Sequence, residues 1–216
     1  MTEHNFDQMR RAMVASQLRT TGVSDARVVA AMGEVPRERF VPADRASMAY
    51  AETLVPLGND RALNSAMATG RLLTEAQPSP HDKALVIGAA TGYSAAVLVR
   101  LVGSVVAVEE DPALVAAARA ALGNTSVELV EAPLSAGHAK GAPYDLILID
   151  GSVEFVPDAI VKQLADGGRL VASVVEDGVQ RLAIGRRSGS AFGMTAFADV
   201  ASAILPGFQK PRAFTF

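Results

Sequence analysis

Ala84-Leu85-Val86-Ile87-Gly88-Ala89-Ala90-Thr91-Gly92-Tyr93 passes from a continuous apolar run, through two glycines, into a stretch that continues with Ala95, Ala96 and Leu98. An unbroken apolar run bounded by glycine reads as a strand buried on both faces, and the stretch through Leu98 reads as a helix. In an open parallel sheet, ligands gather at the carboxyl ends of the strands, where glycine lets them approach the backbone. Gly88 and Gly92 are placed for that. A dinucleotide fingerprint needs glycine at its first, third and sixth positions, which here are Gly88, Ala90 and Tyr93. Two of the three fail, so a nicotinamide or flavin site is disfavoured.

Working outward, Val105 to Val108, Val127 to Val130, Leu146 to Ile149 and Leu170 to Val175 are further short apolar runs. Helix-forming stretches lie between them, most plainly Pro112 to Leu122, with Asp111 as N-cap, Pro112 at the first helical position and Gly123 past the end. Alternating strands and helices predict an α/β fold: a Rossmann-like, doubly wound, mostly parallel sheet with helices on both faces. Upstream, Phe6, Met9, Met13, Val14 and Leu18 recur at helical spacing until Gly22. Ser24 then reads as the cap of a second helix presenting Val28, Val29 and Met32. Asn64 reads as a possible cap for a helix running to Leu73. The expected organisation is one domain over residues 1–216, with a mainly helical N-terminal extension (1–80), an α/β core (81–216) and a final edge hairpin within Gly193 to Phe216.

The chain has 216 residues, half of them hydrophobic, with a formal charge of −3 and no cysteine. That excludes disulfides and thiolate chemistry, and offers no positive field for nucleic acid. His4, His81 and His138 are scattered, so no metal site is expected. The polar stretch Met1 to Arg11 lacks a signal peptide's apolar segment, and no run approaches the roughly 20 apolar residues of a membrane helix. The expectation is a cytoplasmic protein without nucleic-acid or membrane partners, as a monomer or homodimer.

The turn approaches the Gly-x-Gly-x-Gly pattern of class I methyltransferases, with Ala90 in place of the middle glycine. Glu109, ending the second strand, stands where an acidic side chain accepts ribose hydroxyls. More specific are Met13-Val14-Ala15-Ser16-Gln17-Leu18-Arg19, Val35-Pro36-Arg37-Glu38-Arg39-Phe40-Val41-Pro42 and Pro56-Leu57-Gly58, along with Gly92-Tyr93-Ser94-Ala95-Ala96-Val97-Leu98 and Leu164-Ala165-Asp166-Gly167-Gly168-Arg169-Leu170-Val171. Through these segments the chain resembles the protein-L-isoaspartate O-methyltransferase family from about Met9 to about Val174.

The resemblance implies S-adenosylmethionine as cofactor, with isoaspartyl residues of damaged proteins or peptides as substrate. Gly88, Ala90, Gly92, Tyr93, Glu109 and Asp150 would hold the cofactor, and Asn64 or Ser65 would orient the acceptor. The chain departs from the family at several of these places. Arg61-Ala62-Leu63-Asn64-Ser65-Ala66-Met67 stands where the family has Gln-Thr-Ile-Ser and a following Pro, Val86 replaces an acid, and Glu131-Ala132-Pro133 replaces Gly-Asp-Gly. Asp150 is an added carboxylate at the sheet edge, open to three roles: a contact to the donor's amino group, a substrate contact, or a divalent-ion ligand. The departures leave two alternatives beside the family reaction, a member that binds without catalysis and a methyltransferase for a small hydroxylated molecule.

Overall fold

The computed structural model describes residues 3–210. Helix α1 (Glu3–Met13) runs on into a π-helical turn over Val14–Leu18, and the chain reverses at Gly22, where φ is +87°. Helix α2 (Ala26–Glu34) comes after it. Its cap is Asp25, which accepts the Arg27 amide at 2.8 Å, rather than Ser24. A cap must immediately precede the first helical residue, and Ser24 stands one place too early.

The N-terminal extension also contains strand, which the sequence pattern does not reveal. Strands β1 (Val55–Gly58) and β2 (Arg61–Leu63) pair antiparallel as a separate two-stranded sheet. Asn59 and Asp60, at φ of 49° and 57°, make the turn between them. Both residue types tolerate the left-handed region. Helix α3 (Ala66–Ala76) comes next, and Ser65, not Asn64, caps it: its Oγ accepts the Ala68 amide at 3.2 Å.

The core then alternates as read: β3 (Lys83–Ile87), α4 (Tyr93–Leu98), β4 (Ser104–Glu109), α5 (Pro112–Leu122), β5 (Val127–Glu131), β6 (Tyr144–Val153), α6 (Asp158–Val161), β7 (Leu164–Glu176), β8 (Val179–Ser188) and β9 (Ala191–Asp199). The strand order is β5-β4-β3-β6-β7-β8-β9, parallel through β7 and antiparallel at β8 and β9. The edge hairpin is thus present but runs from Val179 to Asp199, so it begins earlier than expected and overlaps the segment Gly193 to Phe216 only over residues 193–199. The last part of that expected segment, residues 211–216, lies outside the described residues.

The β3 run is unbroken because both its faces are covered. Ala84 and Val86 pack into one core with Met32, Leu73 and Ala95, while Leu85 and Ile87 pack into the other with Leu134, Ile160, Leu205 and Phe208. Strand β3 lies between β4 and β6, so the order reverses there and a crevice is expected beyond the strand ends. After β9 the chain returns across this edge. Ser152 donates its amide to Ala203 O at 2.6 Å, and Leu205 donates its own to Ser152 O at 3.0 Å.

Helix α5 depends on Asp111, whose Oδ1 accepts the Ala113 and Leu114 amides at 2.8 and 3.2 Å. Asn59 donates to Asp111 Oδ2 at 2.7 Å, which holds that carboxyl below its usual range and ties the β1–β2 turn to the helix. Asp111→Ala is expected to lower unfolding stability by ~1 kcal/mol, as other cap deletions do. Urea unfolding checks this; an unchanged midpoint refutes the role.

Candidate functional site

Two turns meet beyond the ends of β3 and β4. In the first, Gly88 (φ +77°), Ala90 (φ +49°) and Gly92 (φ +95°) all take the left-handed region. At Ala90 this costs on the order of 1 kcal/mol, because its Cβ crowds the backbone. The conformation aims the Ala90 amide at Glu109 Oε2, 2.7 Å away. Thr91 Oγ1 donates to Phe40 O at 2.6 Å and binds the turn to the N-terminal extension.

Glu109 ends β4 and is completely buried. A buried carboxylate must be compensated, and the partner is Arg61 on β2, itself only 5% exposed. Arg61 Nη1 lies 2.6 Å from Oε1 and Nη2 lies 2.9 Å from Oε2, a two-pronged ion pair. Oε1 also accepts the amides of Glu110 and Asp111, at 2.9 and 3.1 Å. With Ala90, five N–H groups converge on two oxygens. A carboxylate offers about four acceptor positions, so none is left for a further donor.

The second centre is Asp150, near the end of β6. Asn64 Nδ2 donates to its Oδ1 at 2.9 Å and to its carbonyl at 3.1 Å, and Ser94 Oγ donates to Oδ2. Asn64 Oδ1 in turn accepts the Ala203 amide at 2.8 Å, so one side chain ties the N-terminal extension, β6 and the returning chain together. The returning chain delivers Leu205 into the crevice. A methyl group built on Gly88 would fall 2.9 Å from Leu205 Cδ1, and one on Gly151 would fall 2.6 Å from its Cγ.

The structure brings Gly88, Ala90, Glu109, Asn64 and Asp150 to one edge of the sheet. Ser65 is occupied in capping α3, and Tyr93 points into the core, edge-on to Phe40 and under the Arg37 guanidinium at 4.6 Å. Asp150, weighed as an ion ligand, has no companion ligands: among the described residues no group of three or more His, Cys, Asp or Glu could hold a metal. The partners that sequence reasoning missed are Arg61, Ser94 and Leu205. Arg61 carried only its charge as a signal, since no periodicity marks the three-residue strand it stands on. Leu205 carried none, because its contact with Gly88 spans more than half the chain.

Burial pushes the Asp150 carboxyl above its ordinary value, and the bonds from Ser94 and Asn64 pull it only partly back. A carboxyl raised in the folded state binds protons more tightly there than in the unfolded chain. Stability is therefore lost as pH rises from the unfolded value through the folded one. Asp150→Asn removes that loss. The variant's thermal midpoint, relative to wild type, is expected to rise as pH goes from about 4 to about 8. A difference that does not vary with pH refutes it.

The chain matches the sequence model of the family described as protein-L-isoaspartate(D-aspartate) O-methyltransferase over residues 9–203. It is 40% identical over 186 residues to a protein-L-isoaspartate O-methyltransferase from Methanoregula boonei, covering 85% of this chain and 86% of that one. A relative of the same name from Koribacter versatilis is 36% identical over 203 residues, covering 93% and 91%. Among solved structures, a protein-L-isoaspartate O-methyltransferase superposes with a TM-score of 0.80 at 24% identity, covering 92% of this chain and 66% of its own. A Plasmodium falciparum structure, described as a candidate member in complex with S-adenosyl-L-homocysteine, gives 0.78 at 16% identity, covering 90% and 96%. At those identities the two structures establish the shared fold.

Proposed function

The chain belongs to the protein-L-isoaspartate(D-aspartate) O-methyltransferase family, and from that premise we propose that it is an S-adenosylmethionine-dependent carboxyl methyltransferase acting on isoaspartyl residues of proteins. One observation carries this reading. The family match spans residues 9–203, so it takes in the helical extension that places Asn64 and Arg61 at the sheet edge as well as the glycine turn.

The reaction asks little of acid–base groups. Ordinary carboxyl groups have a pKa of about 4, so the acceptor is already ionised near neutral pH and needs no base. The protein's part is to position it and exclude water. We assign the acceptor side to the Asn64–Ser65 turn, where in this conformation Asn64 is engaged with Asp150 and the Ala203 amide and Ser65 with the Ala68 amide. We take residues 1–216 as one methyltransferase domain, cytoplasmic, monomeric or homodimeric. No described helix is long and apolar enough to cross a membrane.

In this conformation S-adenosylmethionine does not fit. The Glu109 oxygens that ribose hydroxyls would engage are saturated by Arg61 and three backbone amides, and Leu205 lies over Gly88. No step through the cofactor is derived from this arrangement. The same observation favours a second reading, in which the scaffold serves binding and transfers no methyl group.

An isoaspartyl peptide and its aspartyl counterpart, each incubated with methyl-labelled donor, separate the two. Methanol-releasable label is expected on the isoaspartyl peptide alone. Its absence from both, with the protein folded by circular dichroism, contradicts the transferase reading.

A further inference from the structure

We propose that Arg61 is a built-in competitor of the cofactor: its guanidinium occupies the ribose-binding carboxylate, so that ligand binds only when the Arg61–Glu109 pair opens. The inference rests on reading this crevice as the cofactor cradle.

A ribose diol and a guanidinium make the same demand on a carboxylate, since each presents two donors side by side to its two oxygens. Arg61 meets that demand at 2.6 and 2.9 Å, and amides of Ala90, Glu110 and Asp111 take what acceptor capacity remains. A diol therefore cannot be added beside the guanidinium and must replace it. Replacement is resisted because both partners are buried, and moving Arg61 alone would leave the Glu109 charge without its counter-ion.

The arrangement also has built-in weakness. Arg61 Nε is buried with no hydrogen-bond partner, so the guanidinium is imperfectly satisfied. Its strand has three residues and pairs only with β1, outside the seven-stranded sheet. Two-stranded hairpins of this size are marginal on their own. Here the hairpin is also held by Asn59 on Asp111, by Arg45 on Pro56 O and by Val55 and Leu63 in the core, so the Arg61 side chain can leave Glu109 while its strand stays in place.

S-adenosylhomocysteine titrated calorimetrically into wild type, Arg61→Gln and Arg61→Lys tests the proposal. The Gln variant removes the charge and shortens the side chain. The Lys variant keeps a cation beside Glu109 while losing the two-pronged fork, and so guards against a Gln variant that fails to fold. Both folded variants are expected to bind at least ~10-fold more tightly than wild type, a change of tenfold being well resolved by titration. Equal affinity in wild type and variants overturns the proposal, as does no binding by variants that circular dichroism shows to be folded. Methylation of an isoaspartyl peptide, measured on the same samples, keeps the two readings apart. Tightened binding without methylation sinks the transferase activity and leaves the competition standing, while methylation with unchanged affinity does the reverse.

Discussion

A carboxylate with no exposed surface and an arginine 5% exposed face each other beyond the ends of the central strands, and the surrounding structure is arranged to keep them together. Taking two such ions out of water costs several kcal/mol each, which their attraction recovers only with good geometry and further hydrogen bonds. Both conditions are met at Glu109. The fork of Arg61 supplies the geometry, and three backbone amides supply the bonds. The amides come from two structural commitments: Ala90 from a strained turn, and Glu110 and Asp111 together from the approach to α5.

The neighbouring centre obeys the same logic with neutral partners. Asp150 is buried, and Asn64 and Ser94 satisfy it. Asn64 also holds the Ala203 amide, and from there the chain carries Leu205 onto Gly88 and Gly151. Arg37, fully buried, donates to Ala49 O at 2.6 Å and to Asn64 O, which fixes the residue that fixes the returning chain. The carboxyl edge of the sheet, where open α/β folds commonly admit ligands, is in this conformation sewn shut by its own side chains. Family membership and local arrangement therefore speak to different things: one to the fold and its inherited chemistry, the other to how readily the cofactor enters.

Much of this fold is legible in the sequence because its signals are local. The strand from Ala84 to Ile87 is unbroken because both faces are covered, and α5 announces itself by Asp111, Pro112 and Gly123. The β1–β2 hairpin is not legible, since a three-residue strand beside Pro56 and Gly58 leaves no periodicity to read. The caps of α2 and α3 lie one residue from where the sequence suggests, because adjacent Ser, Asp and Asn are all competent and backbone geometry alone selects among them. At the site, Gly88, Gly92 and Glu109 could be placed from their position after strands. That Glu109 is matched to Arg61, 48 residues earlier, is a product of tertiary packing. So is the arrival of Leu205.

The account stands most directly on the worth of that pair, which a double-mutant cycle on Arg61→Met and Glu109→Gln measures by urea unfolding. Removing either partner alone leaves an uncompensated buried charge, while removing both does not. The account therefore predicts a coupling energy on the order of 3 kcal/mol between the two sites. Single-variant losses that simply add, with coupling below about 0.5 kcal/mol, would contradict it.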